Sequence, residues 1–74
     1  MSPEYRVEPA ANTRTWYGRL RFNWQVRHLN TNVILHSGQR HSRRIDRNVV
    51  AKRFYDRACV PAVVELAAEE EWEA

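Results

Sequence analysis

The run from Trp16 to His28, WYGRLRFNWQVRH, alternates in polarity without a break. Trp16, Gly18, Leu20, Phe22, Trp24, Val26 and His28 fall on one parity; Tyr17, Arg19, Arg21, Asn23, Gln25 and Arg27 fall on the other. Side chains of a strand point to opposite faces in turn, so a period of two marks extended structure with one face in a core and the other in water. Thirteen extended residues would span roughly 43 Å at about 3.3 Å each, whereas a compact domain of this length has a radius of gyration of only about 11 Å. The run is therefore expected to fold back on itself. A two-residue hairpin loop flips the parity and a three-residue loop keeps it. The unbroken alternation thus predicts Arg21, Phe22 and Asn23 as the loop, with Asn23 in the left-handed last position. That register pairs Leu20 with Trp24, Gly18 with Val26 and Trp16 with His28 on the apolar face, and Tyr17 with Arg27 on the wet one.

The flanking segments supply the rest of a small domain. Residues 1–13 hold Pro3 and Pro9 and show no clear period, so they read as an irregular arm in which YRVE at 5–8 could add a short edge strand. After the hairpin, NTN at 30–32 is a turn signal, and VILHSG at 33–38, rich in branched residues and closed by glycine, reads as a third strand. Ser42 is a suitable N-cap for a helix over 43–58. Its apolar face is expected at Ile45, Val49, Val50, Phe54 and Ala58, and its outer face at Arg43, Arg44, Arg47, Lys52, Arg53 and Arg57. Arg43, Arg44 and Arg47 in the first turns oppose the helix dipole, a local cost that a bound anion would offset. Pro61 disfavours helical geometry at Val60. Beyond it, either a fourth strand near 62–66 runs into an acidic tail at 67–74, or a second helix opens at the proline; the residues alone leave both readings open. The expected fold class is α+β, a three-stranded antiparallel meander packed by one helix, within a single domain at 14–66.

Charge narrows the function classes. The formal net charge is +3 over 74 residues, but it is unevenly spread. Residues 1–13 carry −1, residues 14–57 carry +9 and residues 58–74 carry −5. Such asymmetry points to a polyanionic partner, an acidic tail, or both. The basic residues are eleven arginines and Lys52, a bias that GC-rich coding in a bacterium or phage produces, and arginine grips phosphate and base edges bidentately. Tyr17, Arg19 and Arg27 on the wet hairpin face and Arg21 at the loop, with Arg43, Arg44 and Arg47 at the helix start, are the candidate nucleic-acid-binding residues. The plainer reading is that a chain with almost no lysine solvates its outer faces with arginine. Trp16 and Trp24 are assigned to the core. Trp72, in EEEWEA, is either a hook for a protein partner or a side chain tucked against the domain. The tail is also expected to be able to fold over the basic segment, with Trp72 adding an apolar contact.

Other chemistries lack their residues. His28, His36 and His41 match no zinc spacing, and Cys59 is the single cysteine, so neither a metal site nor an internal disulfide is expected. There is no glycine-rich phosphate loop and no convincing carboxylate pair. A non-enzymatic protein without cofactors is expected. No apolar run reaches the ~18 residues of a membrane span, and the opening MSPEYRVEPAAN lacks the apolar core of a signal peptide. A cytoplasmic protein follows, with nucleic acid or a protein as partner, no membrane, and a homodimer as one way for so short a chain to enlarge its core.

WQVRHLNTNVILHSGQ at 24–39, followed by HSRR, a helix and PAVVEL, resembles the YegP-type family of small bacterial proteins of unknown function. The family pattern is a tryptophan-led strand, an asparagine turn, a strand ending in Ser-Gly, a basic helix and a closing strand. The resemblance covers roughly residues 16–66. Glu65 stands where the family has aspartate, His41 where an aromatic is usual, and no glycine follows Asn30. The resemblance implies a strand at 62–66 and pairing of repeats, hence dimerisation of a single-repeat chain, and it implies no activity. More loosely, the tryptophan-led strand and AKRFYDRA at 51–58 are similar to ethylene-response-factor DNA-binding domains and the integrase arm-binding domains built like them. There a three-stranded sheet backed by one helix enters a major groove; here the spacing from Gly38 to the helix is several residues longer.

Overall fold

The structure, a computed structural model, describes residues 3–58 and 63–73. Cys59 and Pro61, with the N-terminal part of the expected 62–66 strand, lie outside the described residues, as does the side chain of Ala58. The elements are β1 (Tyr5–Arg14), β2 (Leu20–His28), β3 (Ile34–Ser37), α1 (Arg44–Ala58), β4 (Val64–Leu66) and a short 3-10 helix at Glu69–Glu73. One sheet of order β3-β2-β1-β4 forms, with β1, β2 and β3 antiparallel in sequence and β4 parallel to β1. This is an α+β fold, a meander covered by one helix and extended by a fourth strand. No helix among the described residues is long and apolar enough to cross a membrane.

The hairpin register differs from the expected one. β2 is one unbroken strand through Arg21, Phe22 and Asn23, and its partner is the segment read as an irregular arm: Val7 lies opposite Val26, Pro9 opposite Trp24 and Arg14 opposite Leu20. The loop does have three residues, but they are Trp16, Tyr17 and Gly18, closed by Gly18 N–H donating to Thr15 O at 2.9 Å and Thr15 N–H donating to Arg19 O at 2.9 Å. Gly18 takes φ 85°, the left-handed position that a three-residue loop demands at its end, and glycine fills it with less strain than asparagine. The long run does not fold back because the hairpin projects: the longest axis is 44 Å and the radius of gyration 12.6 Å. Pro9 is tolerated in a central strand because Tyr5 N–H and Val7 O bond toward the β4 side, to Val63 and Ala67. Pro9 shares their parity, and β4 pairs only as far as Val7, so the missing N–H faces an edge that no ladder uses.

The core is Val7, Trp24, Val26, Ala51, Ala67 and Trp72, flanked by Tyr5, Phe54, Tyr55, Val64 and Leu66. Trp24 lies 5.0 Å from Phe54 and 5.1 Å from His36, ring centre to ring centre, and His36 stacks on Phe54 at 5.1 Å. Gly38 lies against the Trp24 indole, in space that a Cβ would have to take from the ring. Trp16, expected beside Trp24, is instead 96% exposed at the hairpin tip.

α1 packs through a different face from the expected one. Ile45, Val49 and Val50 are exposed at 64%, 42% and 38%, while Arg47 and Ala51 are fully buried. The reason is the C-terminal segment. Trp72 is 1% exposed and its Nε1 donates to Ala67 O at 3.0 Å. Arg47 Nη2 donates to Trp72 O at 2.7 Å, its Nε donates to Asn48 Oδ1 at 3.0 Å, and Asn48 Nδ2 donates to Trp72 O at 3.2 Å. The Arg47 guanidinium also lies 5.6 Å from the Phe22 ring centre and 5.7 Å from that of Trp72, contacts that compensate a desolvated cation. Burial, and secondarily the nearby Arg44 charge, lowers the Arg47 pKa from its ordinary value. Ala67 and Trp72 thus anchor the acidic segment on the core, while Ala68, Glu69, Glu70 and Glu73 stay exposed.

Trp72→Ala is expected to cost about 3–5 kcal/mol, the range for losing a large buried aromatic, a large share of the ~5–15 kcal/mol that small domains possess. Urea unfolding followed by far-UV circular dichroism measures it; a loss below about 1 kcal/mol would mean that the segment is not a structural element. Gly38→Ala is expected to destabilise by about 1–3 kcal/mol, because Trp24 must leave its position; an unchanged urea midpoint would show that the indole has room to shift.

Candidate functional site

The two faces of the sheet have opposite characters. Tyr5, Val7, Trp24 and Val26 face α1, whereas Arg6, Glu8, Gln25, Arg27 and Glu65 share the other face, as their parity and pairing require. Glu8 is buried at 8% exposure. Arg27 Nε lies 2.7 Å from Glu8 Oε1, off the hydrogen-bond axis, while Arg27 Nη2 donates to Glu8 Oε2 at 3.4 Å. Gln25 Nε2 donates to Glu8 Oε1 at 3.4 Å. Arg6 joins Glu8 and Glu65, each at 3.5 Å, and forms a close pair with Glu71. The open sheet face is a ladder of internally neutralised charge, so Arg27, expected to meet nucleic acid, is engaged within the protein.

The other candidate residues are dispersed. Arg43 is exposed and paired with Asp46 at 3.2 Å. Arg44 lies 5.7 Å from the ring centre of Phe22, at the foot of the β1–β2 hairpin. Arg47 cannot meet an external phosphate without unseating Trp72, and Trp72, one reading of which was a partner hook, has no exposed surface to offer. Lys52 stands 4.0 Å from Glu69. The acidic segment therefore neutralises Arg6 and Lys52 and leaves the hairpin uncovered.

Tyr17, Arg19 and Arg21 do come together, at the hairpin tip, with Arg14 and Trp16, which sequence reasoning missed. The hairpin leaves the core at a bulge between Ala10 and Thr13, where the buried Asn23 side chain donates to Ala11 O at 3.0 Å and Thr13 Oγ1 at 3.3 Å. Beyond that point residues 11–14 and 16–20 are all exposed. The tip is nevertheless held tightly. Arg19 N–H donates to Thr15 Oγ1 at 2.9 Å and Arg14 Nη1 donates to Gly18 O at 2.9 Å. The Trp16 and Tyr17 rings meet edge to face, 5.1 Å apart at 86°. Arg14 is opposite Leu20 and Arg21 is opposite Thr13, so Arg14 lies on one face of the hairpin and Arg21 on the other. Residues 9–24 contain no acidic side chain, and among the described residues no ion pair involves Arg14, Arg19 or Arg21. The signal for this site was the Thr-x-x-Gly spacing of TWYG, in which Gly18 marks the left-handed loop position.

Two further surfaces are exposed. Val33, Ile34 and Leu35 stand 45–55% exposed on and beside the outer strand β3. A depression of about 300 Å³ is lined by Trp24, Val50, Arg53, Phe54 and Arg57. No group of three or more His, Cys, Asp or Glu side chains converges as a metal site among the described residues.

Compared with known proteins, the chain matches no family model, no curated protein and no solved structure.

The tip has its own titration signature. Arg21 Nη2 donates to Tyr17 Oη at 3.3 Å, and this bond is the main cause lowering the Tyr17 pKa from the ordinary 10.0, with the Arg21 and Arg19 charges adding to it. The guanidinium favours phenolate, so its removal must raise the pKa. The difference in 295 nm absorbance between wild type and Tyr17→Phe is expected to titrate below 10, and the midpoint to rise when Arg21→Ala is made in both. Equal midpoints would show that the two side chains do not interact in solution.

Proposed function

We propose that this chain is a small non-enzymatic accessory protein, of bacterial or phage origin and cytoplasmic location, that binds nucleic acid through the projecting β1–β2 hairpin. One observation carries the reading: Arg14, Arg19 and Arg21 flank an exposed Trp16 and Tyr17 on an arm that holds no acidic residue. Elsewhere on the sheet, arginine is matched by glutamate. Unmatched cations next to exposed rings are the combination that neutralises phosphates and contacts bases. Arg43 and Arg44 at the foot of the arm would extend the contact along the backbone. Kinship with the YegP-type family is part of the proposal. The order of the Trp24-bearing strand, β3, the basic helix and the closing strand supports it, while β1 lies outside the segment that the resemblance covers.

A second reading, a protein-interaction module or homodimer, is favoured by the exposed Val33, Ile34 and Leu35 on and beside an outer strand. Uncharged outer strands are templates for strand addition.

Fluorescence anisotropy with labelled oligonucleotides at two salt concentrations separates the readings. Affinity should fall steeply with salt, with a logarithmic slope of about −0.9 per phosphate contact on duplex and about −0.7 on a single strand. The Arg14→Ala, Arg19→Ala, Arg21→Ala triple variant should flatten the slope by about 2 units or more, and Arg43→Ala with Arg44→Ala should do so less. Absence of binding at low salt would leave the protein-interaction reading in its place, and an unchanged slope in the triple variant would remove the hairpin from the binding surface.

A further inference from the structure

The three tryptophans have different situations. Trp24 and Trp72 are 3% and 1% exposed and belong to the core, whereas Trp16 is 96% exposed. Nothing in the fold requires an indole at the tip, since the turn is closed by backbone bonds, the Thr15 hydroxyl and Gly18. The turn that carries it is nonetheless braced. Tyr17 lies nearly perpendicular to the indole and covers at most one of its faces, and Arg14 braces the turn through Gly18 O. We infer that Trp16 is a stacking platform for an unpaired nucleobase, so that the ligand of the hairpin is single-stranded nucleic acid. The inference rests on the nucleic-acid reading above and goes further in naming the class of ligand.

The geometry favours a single strand over a duplex. An indole stacks on a base only where the base face is free, and in a duplex interior both faces are covered by neighbouring bases. Reading a duplex would instead need side-chain donors aimed at base edges in a groove. At this tip Arg14 and Arg21 each turn one guanidinium nitrogen back onto the hairpin, to Gly18 O and Tyr17 Oη. That leaves their remaining N–H groups and charge for phosphates on either face of the hairpin. An anionic membrane would also attract the cations, but Trp16 and Tyr17 are the only aromatics in the tip sequence RTWYGRLR, and their apolar area is small for an anchor. Stacking is tolerant of base identity because every base has a π face, so DNA and RNA strands are both accommodated.

The test uses the full chain and five probes: oligo(dT), oligo(rU), an oligomer of abasic deoxyribose phosphate of equal length, a blunt duplex, and phosphatidylserine vesicles. Wild type should bind oligo(dT) and oligo(rU) more tightly than the abasic strand or the duplex. Trp16→Ala should weaken oligo(dT) binding by roughly 5- to 150-fold, the range for losing one base–aromatic stack, while leaving abasic binding and the thermal midpoint unchanged. Trp16→Phe should restore most of the loss. If Trp16→Ala binds oligo(dT) as wild type does, or if wild type prefers the duplex or the vesicles, the stacking inference is overturned. In the first of these cases salt-dependent binding to all the nucleic acids would still uphold the broader reading; failure of wild type to bind any of them would remove both.

Discussion

The buried Arg47 guanidinium holds together parts of the chain that the sequence keeps far apart. It lies between the rings of Phe22 in β2 and Trp72 near the C-terminus and donates to Trp72 O, so that strand, helix and terminal segment meet at one cation. A desolvated arginine is costly unless its donors and its charge are answered. Here a carbonyl, an amide oxygen and two π faces answer it. Without Trp72, neither the burial of Arg47 nor the orientation of α1 that puts Ile45 and Val49 in water has a cause. A small domain has little apolar area to bury, and this one recruits its terminal segment to complete the core.

The same contact accounts for the distribution of charge. Five glutamates follow residue 58, and with the segment anchored by Trp72, three of them reach Arg6 or Lys52. Glu8 engages Arg27 on the adjoining sheet face. The body of the domain therefore neutralises much of its own charge. The hairpin, which projects past the reach of these carboxylates, keeps its three arginines unmatched. The arm thus carries basic charge that the net charge of +3 understates, and the docked acidic segment lies away from it.

The sequence was legible where a local rule dominated. Alternation marked the extended run that contains β2, the branched run and glycine identified β3, and the basic stretch identified α1 to within a residue, although the helix starts at Arg44 and so places Arg43, not Ser42, at the N-cap. A three-residue loop was also the correct inference. Its position differs from the expected one because Gly18 takes the left-handed place at the loop end and a hairpin can project from a compact body. β1 was hidden because Pro9 and the bulge at Ala10–Thr13 break its period. The helix face was misread because burial of arginine contradicts every composition rule, and only the nonlocal contact with Trp72 makes it favourable. Of the candidate site, Tyr17, Arg19 and Arg21 were found from parity. Arg14 and Trp16 were not, since their role follows from where the loop falls. Arg27 and Arg47 were included because partners distant in sequence, Glu8 and Trp72, cannot be read from spacing.

If the hairpin tip is the centre of the binding surface, ligand must perturb the tip and leave the core unmoved. Two-dimensional 15N–1H NMR during titration with oligo(dT) tests it directly, because the three indole N–H groups report separately on the tip and the core. The account predicts that the Trp16 indole and the backbone amides of residues 13–21 shift with increasing ligand, while the indoles of Trp24 and Trp72 stay in place. Shifts centred on β3 and the exposed face of α1, or movement of the Trp72 indole without movement of Trp16, would contradict it.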